Sequence, residues 1–197
     1  MIKLKNLMKS PYKNIISLFE SPFKLNNPWN PEELAGIGEN AEFTNQIKNN
    51  SLAKYIGDFE KYEIYQYQAG KWTIICLING NYTNLFFQYV INNNNIIESK
   101  NIWTQTLSNG LARKFVMDYL LKHYNGILSD GAHTDLGQKY WDKLLHDAQS
   151  KGYKTYVQYD DDKGKLTNIP LNNLADINKY YSHGDEGFYY KFLILKK

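Results

Sequence analysis

From Tyr62 onward the apolar positions follow the period of a sheet. "YEIYQYQ", "KWTIICLI", "NLFFQYVI" and "IIESKNIWTQ" are aromatic and β-branched runs, separated by "AGK", "NGNYTN" and "NNNN". Such runs bounded by Gly and Asn turns predict strands joined by hairpins, an antiparallel meander. After Gln105 the alternation stops, and Leu111, Phe115, Val116, Tyr119 and Leu120 recur at helical spacing, with Leu107 just before the start. "NGILSD" then predicts a short strand. Thr134 offers an N-cap to a second amphipathic helix marked by Leu136, Tyr140, Trp141, Leu144, Leu145 and Ala148 and ended by Gly152. "YKTYVQY" predicts another strand, "DDDKGK" a charged turn, and "GFYYKFLILKK" a closing strand buried between neighbours.

The part before about Phe59 is less organised. "PYKNIISLFESP" reads as one short helix between Pro11 and Pro22, Pro31 with Glu32 and Glu33 as a helix start, and Thr44 to Ile56 as a further short helix. Residues 1–60 are therefore expected to form a helical and irregular segment packed on a domain spanning 61–197, the whole being one compact unit. No internal repeat of solenoid period is visible.

Composition changes this picture little. The 197 residues are 43% hydrophobic and 22% charged, ordinary for a folded domain, and the 17 Tyr sit among many Asn, Lys and Ile residues. The formal net charge of +3 is spread along the chain, so no basic stripe marks a nucleic-acid interface and nucleic acid is not expected as a partner. Cys76 is alone, which fits a reducing compartment and a buried small hydrophobe. No stretch approaches the roughly 20 apolar residues that span a bilayer, and the amino terminus has neither a signal-length apolar run nor a cleavage site, so a cytoplasmic location without membrane contact is expected. No His or Cys pair stands at metal-ligand spacing, and "DDDKGK" lacks the ligand spacing of a calcium loop.

The predicted order (meander, glycine turn, helix, strand, helix, strand, turn, strand) resembles the GCN5-related N-acetyltransferase (GNAT) fold over roughly Tyr62 to Lys196. The motif that carries the resemblance is "LSNGLA", Leu107 to Ala112. In that family a loop of pattern Arg/Gln-x-x-Gly-x-Gly/Ala opens a helix whose amino end meets the coenzyme A pyrophosphate. Gly110 and Ala112 match the small positions, while Leu107 stands where the basic or amide residue belongs. Small residues there let a diphosphate approach successive backbone N–H groups. "ILSDGAHTDLGQKYWDKL" is also similar to a divergent branch common in bacteriophage and mobile-element genomes.

The resemblance implies an α+β fold, an α/β sandwich with a mostly antiparallel central sheet and helices on both faces. It implies an acyl-CoA-dependent N-acyltransferase with acetyl-CoA as cofactor and a small-molecule or protein amine as acceptor. The implied cofactor-binding residues are Trp103, Gln105, Asn109, Gly110, Leu111, Ala112 and Arg113; the implied catalytic residues are Glu98 as a general base, His133 and Tyr140. Aligned with the family's second helix, Thr134 falls at the Asn position, Gly137 at the Ala and Trp141 at the Tyr, and an indole is no general acid. From the residues alone, Asp130 and His133 in "SDGAHTD" form the best polar cluster, at the carboxyl end of a strand, although helix capping by Asp130 and Thr134 with a solvated His133 is the favoured reading of them. Because Leu107 and Trp141 replace residues the reaction uses, a non-catalytic interaction module of the same fold, such as a phage-type inhibitor of a host complex, stays open as the alternative.

Overall fold

The computed structural model describes residues 41–105, 110–131, 135–160, 166–181 and 190–196. Asn109, His133 and Thr134, and the expected helices before residue 40, lie outside the described residues.

A nine-stranded sheet organises the chain. Helix α1 (Ala41–Asn49) leads into β1 (Lys54–Phe59), β2 (Tyr62–Ala69), β3 (Trp72–Asn79), β4 (Tyr82–Ile91) and β5 (Ile96–Thr104), each antiparallel to the one before. Three consecutive helical pieces, Leu111–Phe115, Val116–Leu120 and Leu121–His123, form α2, whose middle piece is a wide π turn. Strand β6 (Gly126–Leu128), helix α3 (Asp135–Ser150), β7 (Lys154–Asp160), β8 (Leu166–Pro170), a 3-10 segment (Leu174–Tyr180) and β9 (Tyr190–Leu195) complete it. β6 runs parallel to β5, and β9 inserts between β6 and β7, antiparallel to both, so the order across the sheet is β1-β2-β3-β4-β5-β6-β9-β7-β8.

The mostly antiparallel sheet and the second helix match the expectation from sequence. The amino-terminal side does not: the helix expected from Thr44 to Ile56 ends at Asn49, and Lys54–Phe59 is an edge strand. Gly57 causes both. Its φ of 133° lies outside what a side chain tolerates, and the β1–β2 register slips between Tyr55 and Gly57, a bulge that hides the strand's period. β8, with its polar "LTNIP", is likewise an edge strand that the apolar pattern does not mark.

β3 explains why "IICLI" is apolar without a break. Ile75 and Leu77 are buried with Phe87, Tyr89, Ile97, Phe115 and Leu144, the cluster under α2 and α3. Ile74, Cys76 and Ile78 are buried with Phe86, Tyr67 and Ile47 of α1. Both faces of the strand exclude water, and its buried Thr73 is satisfied by donating to Gln68 Oε1 at 2.9 Å. The Thr44 and Thr83 hydroxyls, both buried and 3.0 Å apart, tie α1 to the sheet.

Gly126 shows how closely β9 approaches β6. A Cβ there would lie 2.5 Å from the Ile194 carbonyl oxygen and 2.8 Å from Leu195 Cδ2. Backbone cannot yield as a flexible side chain does, so Gly126→Ala is expected to destabilise the fold by about 1–3 kcal/mol in urea denaturation, with an unchanged dependence on denaturant.

Candidate active site at the divergence of β5 and β6

Parallel pairing between β5 and β6 lasts three residues: Ile96 with Gly126, Ile97 with Ile127, Glu98 with Leu128. Beyond that level the chain after β6 stays with β9. Ser129 N donates to the Phe192 carbonyl at 2.8 Å, and Phe192 N donates to Ser129 Oγ at 2.8 Å. Ser99 to Thr104 of β5 pair with β4 alone among the described strands, so the sheet opens into a cleft with its apex at Glu98 and Ser129. Unpaired strand edges in such an opening present backbone donors and acceptors to a ligand.

A bulge in β5 then sets what faces the cleft. Tyr89 pairs with Ser99 but Gln88 pairs with Asn101, leaving Lys100 as the extra residue. Before the bulge Ile97 joins the cluster under α2 and α3; after it Ile102 packs there and Trp103 packs on the opposite cluster. Glu98 and Lys100 therefore share one side, where Asn101 Nδ2 also donates to Gln88 Oε1 at 2.7 Å.

Glu98 Oε1 accepts hydrogen bonds from Lys100 Nζ at 3.0 Å and from Lys191 Nζ of β9 at 2.9 Å. Lys191 thus reaches past the end of β6 to bridge the apex. Burial alone would push the Glu98 carboxyl up, but the bonds from Lys191 and Lys100 outweigh it and hold the group below its ordinary value. Asp130, just beyond β6, has the opposite balance. Burial pushes its carboxyl up, the Lys100 and Lys191 charges offset only part of this, Glu98 adds to it, and the carboxyl titrates at about 6.

After β5 the chain enters α2, which packs on α3. Gly110, with φ 80°, turns the chain into α2, and its carbonyl accepts the first helical bond from Lys114 N at 2.9 Å. Gly110 itself, at the N-cap position, has no side chain to cap this end. Leu111 and Ala112 are buried in the core, so only their backbone can serve a ligand. A cavity of about 260 Å³ runs beside Gly110, between Arg113 and Met117 of α2 and Asp147, Ser150 and Lys151 at the α3 end. Its cations are paired: Arg113 with Asp147 at 2.7 Å, Lys151 with Asp118 at 2.8 Å, and Lys114 with Glu60. These pairs are partly exposed and screened by solvent, so each adds little to stability.

Of the other residues expected from sequence, Gln105 is anchored to β4, its Oε1 accepting from Asn84 Nδ2 at 2.6 Å and its N donating to Asn84 O at 3.1 Å. Trp141 is core, 3% exposed and 6.4 Å from the Phe192 ring. Tyr140 stands edge-on to Trp141, and its buried hydroxyl has no hydrogen-bond partner among the described residues. Burial holds that phenol protonated, far above the ordinary tyrosine range, although Arg113 pulls the other way. The structure thus gathers Glu98, Trp103 and Gln105 on β5 and its exit, and Gly110 to Arg113 and Tyr140 on the helices. Lys100 and Lys191 were not singled out in the sequence; a lysine inside the apolar run "YYKFLIL" was the available signal.

No protein-family model matches the sequence, and no curated protein does. Among solved structures, the chain is similar to a Bacteroides thetaiotaomicron protein assigned to the GNAT acetyltransferase family, at 10% identity over 87% of this chain and 86% of that one, with a TM-score of 0.37. It is also similar to a Bacillus subtilis acetyltransferase in complex with coenzyme A, at 13% identity over 71% of this chain and 80% of that one, with a TM-score of 0.32. Likeness this loose leaves the function to be argued from the cleft itself. No helix of the described residues is long and apolar enough to cross a membrane, and no cluster of His, Cys, Asp or Glu among them is arranged to hold a metal.

The raised Asp130 carboxyl has a consequence for stability. Its folded value lies above its unfolded one, so the folded state binds the extra proton between about pH 4 and 6 and stability falls as pH rises through that window. Asp130→Asn removes the penalty. The variant is expected to be more stable than wild type by about 2–3 kcal/mol at pH 8, with the difference closing below pH 4, measured by denaturant melts across pH.

Proposed function

We propose that this chain is a GNAT-like N-acyltransferase that takes its acyl group from a coenzyme A thioester, most simply acetyl-CoA. The observation that carries this reading is the three-residue β5–β6 partnership, which opens the sheet beside the amino end of α2, where Gly110 turns the chain. In it the thioester arm lies along Ser99 to Thr104, and the diphosphate lies against the backbone N–H groups of Gly110 to Ala112, with Arg113 and Lys151 released from their carboxylates. Trp103 and Gln105 border the arm. Helices cover both faces of the sheet in this reading: Ile47 of α1 lies against Ile74 and Phe86, and Leu144 of α3 lies within the cluster of Phe87 and Ile97.

The reaction needs a polarised carbonyl, a sink for the amine proton and a partner for the departing sulfur. The Tyr140 hydroxyl, buried, protonated and without a hydrogen-bond partner among the described residues, fits the last role. Because its phenol holds its proton more tightly than a thiol does, it supports the thiolate by donating a hydrogen bond rather than by giving up the proton. His133, two residues before the start of α3, is the other candidate for that place. The acceptor is a small-molecule or protein amine.

Acetyl-CoA at a thousandfold excess over its dissociation constant is expected to stabilise the fold by about 4 kcal/mol, read as a rise in melting temperature that free acetate and adenosine do not reproduce. No shift at millimolar acetyl-CoA would refute the transferase. The same fold would then stand as an interaction module, the reading that Leu107 and Trp141 favour.

A further inference from the structure

Four charged side chains meet at the apex of the cleft, and their arrangement divides the labour between the two carboxylates. Glu98 is clasped by Lys100 from its own strand and by Lys191 from β9, at 3.0 and 2.9 Å. Both lysines direct a hydrogen bond to it. A carboxylate holding two ammonium partners is a poor proton acceptor, since taking a proton breaks both bonds. Asp130 sits one residue past Ser129, whose bonds to Phe192 fix the chain at the point where β6 leaves β5. It is half-buried, its carboxyl feels the charges of Lys100, Lys191 and Glu98, and among the described residues both of those lysines hydrogen-bond to Glu98 instead.

We infer that Asp130 is the proton acceptor for the incoming amine, and that Glu98 is a positioning residue which holds Lys100 and Lys191 beside it. This rests on the acyltransferase reading above. The amine nitrogen forms its bond to the thioester carbonyl carbon as the carbon–sulfur bond breaks; the nitrogen's proton passes to the Asp130 carboxylate and from there to water, while the thiolate takes a proton from water. Amine plus thioester gives amide plus thiol, with no other reactant. The two lysines keep Asp130 ionised at neutral pH despite its burial, and burial keeps it basic enough to act there. Among the charges around it, Glu98 opposes the lysines, so the four-group cluster carries no net charge when Asp130 is ionised.

The test is release of coenzyme A thiol from acetyl-CoA by the full-length protein, with spermidine and polylysine as amine probes, from pH 5 to 9. Wild type should show kcat/KM rising with pH through a midpoint near 6. Asp130→Asn should lose about 100-fold in kcat together with that midpoint, while its KM for acetyl-CoA stays within threefold. Asp130→Glu should restore part of the rate. Lys191→Met should move the midpoint upward, a change that a purely structural role for Asp130 does not produce. An Asp130→Asn enzyme that keeps the midpoint or the rate overturns the inference while leaving the transferase intact. So does a wild type that binds acetyl-CoA and transfers to neither probe. Absence of acetyl-CoA binding by the wild type, seen as an unchanged melting temperature, removes the transferase reading and this inference with it.

Discussion

The geometry of this protein turns on where β6 changes partner. For three residues it is a parallel neighbour of β5; at Ser129 it is held by β9 through a pair of 2.8 Å bonds, one to the serine amide and one to its hydroxyl. Backbone groups that are not paired across a sheet must find water or a ligand, so an early end to the β5–β6 ladder leaves the second half of β5 open. Gly126 makes the arrangement possible, because only a residue without a side chain lets the β9 backbone come so close to the start of β6. The cleft follows from the topology, not from any one side chain.

The charges at its apex are expensive to place. Hydroxyls elsewhere in the core are satisfied: Tyr89 and Tyr124 share a hydrogen bond at 2.9 Å, and the Tyr181 hydroxyl donates to Asp142 Oδ1 at 2.8 Å. Tyr140 departs from that rule as a buried phenol with nothing described to bond, and Asp130 as a half-buried carboxyl whose proton is held more tightly than usual. Groups left in poor surroundings cost stability and persist where a ligand or a reaction uses them. Cys76 is the contrast. Its thiol is buried in an apolar cluster and pushed far above the range in which it would ionise, so it serves packing alone.

The central part of this fold was legible because its residues answer to one period at a time. β3 and β4 read as strands since both faces are apolar, and α3 read as a helix from Leu144, Leu145 and Ala148, all of which are buried. The edges were not legible. β1 carries a bulge at Gly57 and leaves Tyr55 and Ile56 exposed, and β8 is held by backbone bonds that a pattern of apolar residues does not encode. Within the candidate site, Gly110 and Glu98 were found from motif and position, and Asp130 from its place at the end of a strand. Lys191 lies 93 residues from Glu98, and only the insertion of β9 brings the two together.

Hydrogen exchange read by mass spectrometry addresses the cleft directly, because the open half of β5 and the first amides of α2 are what a coenzyme would cover. With saturating coenzyme A, peptides spanning Ser99–Thr104 and Gly110–Arg113 should slow in exchange while those from β1 and β8 do not change. Protection confined to other segments, or no protection at millimolar coenzyme A, would contradict the account.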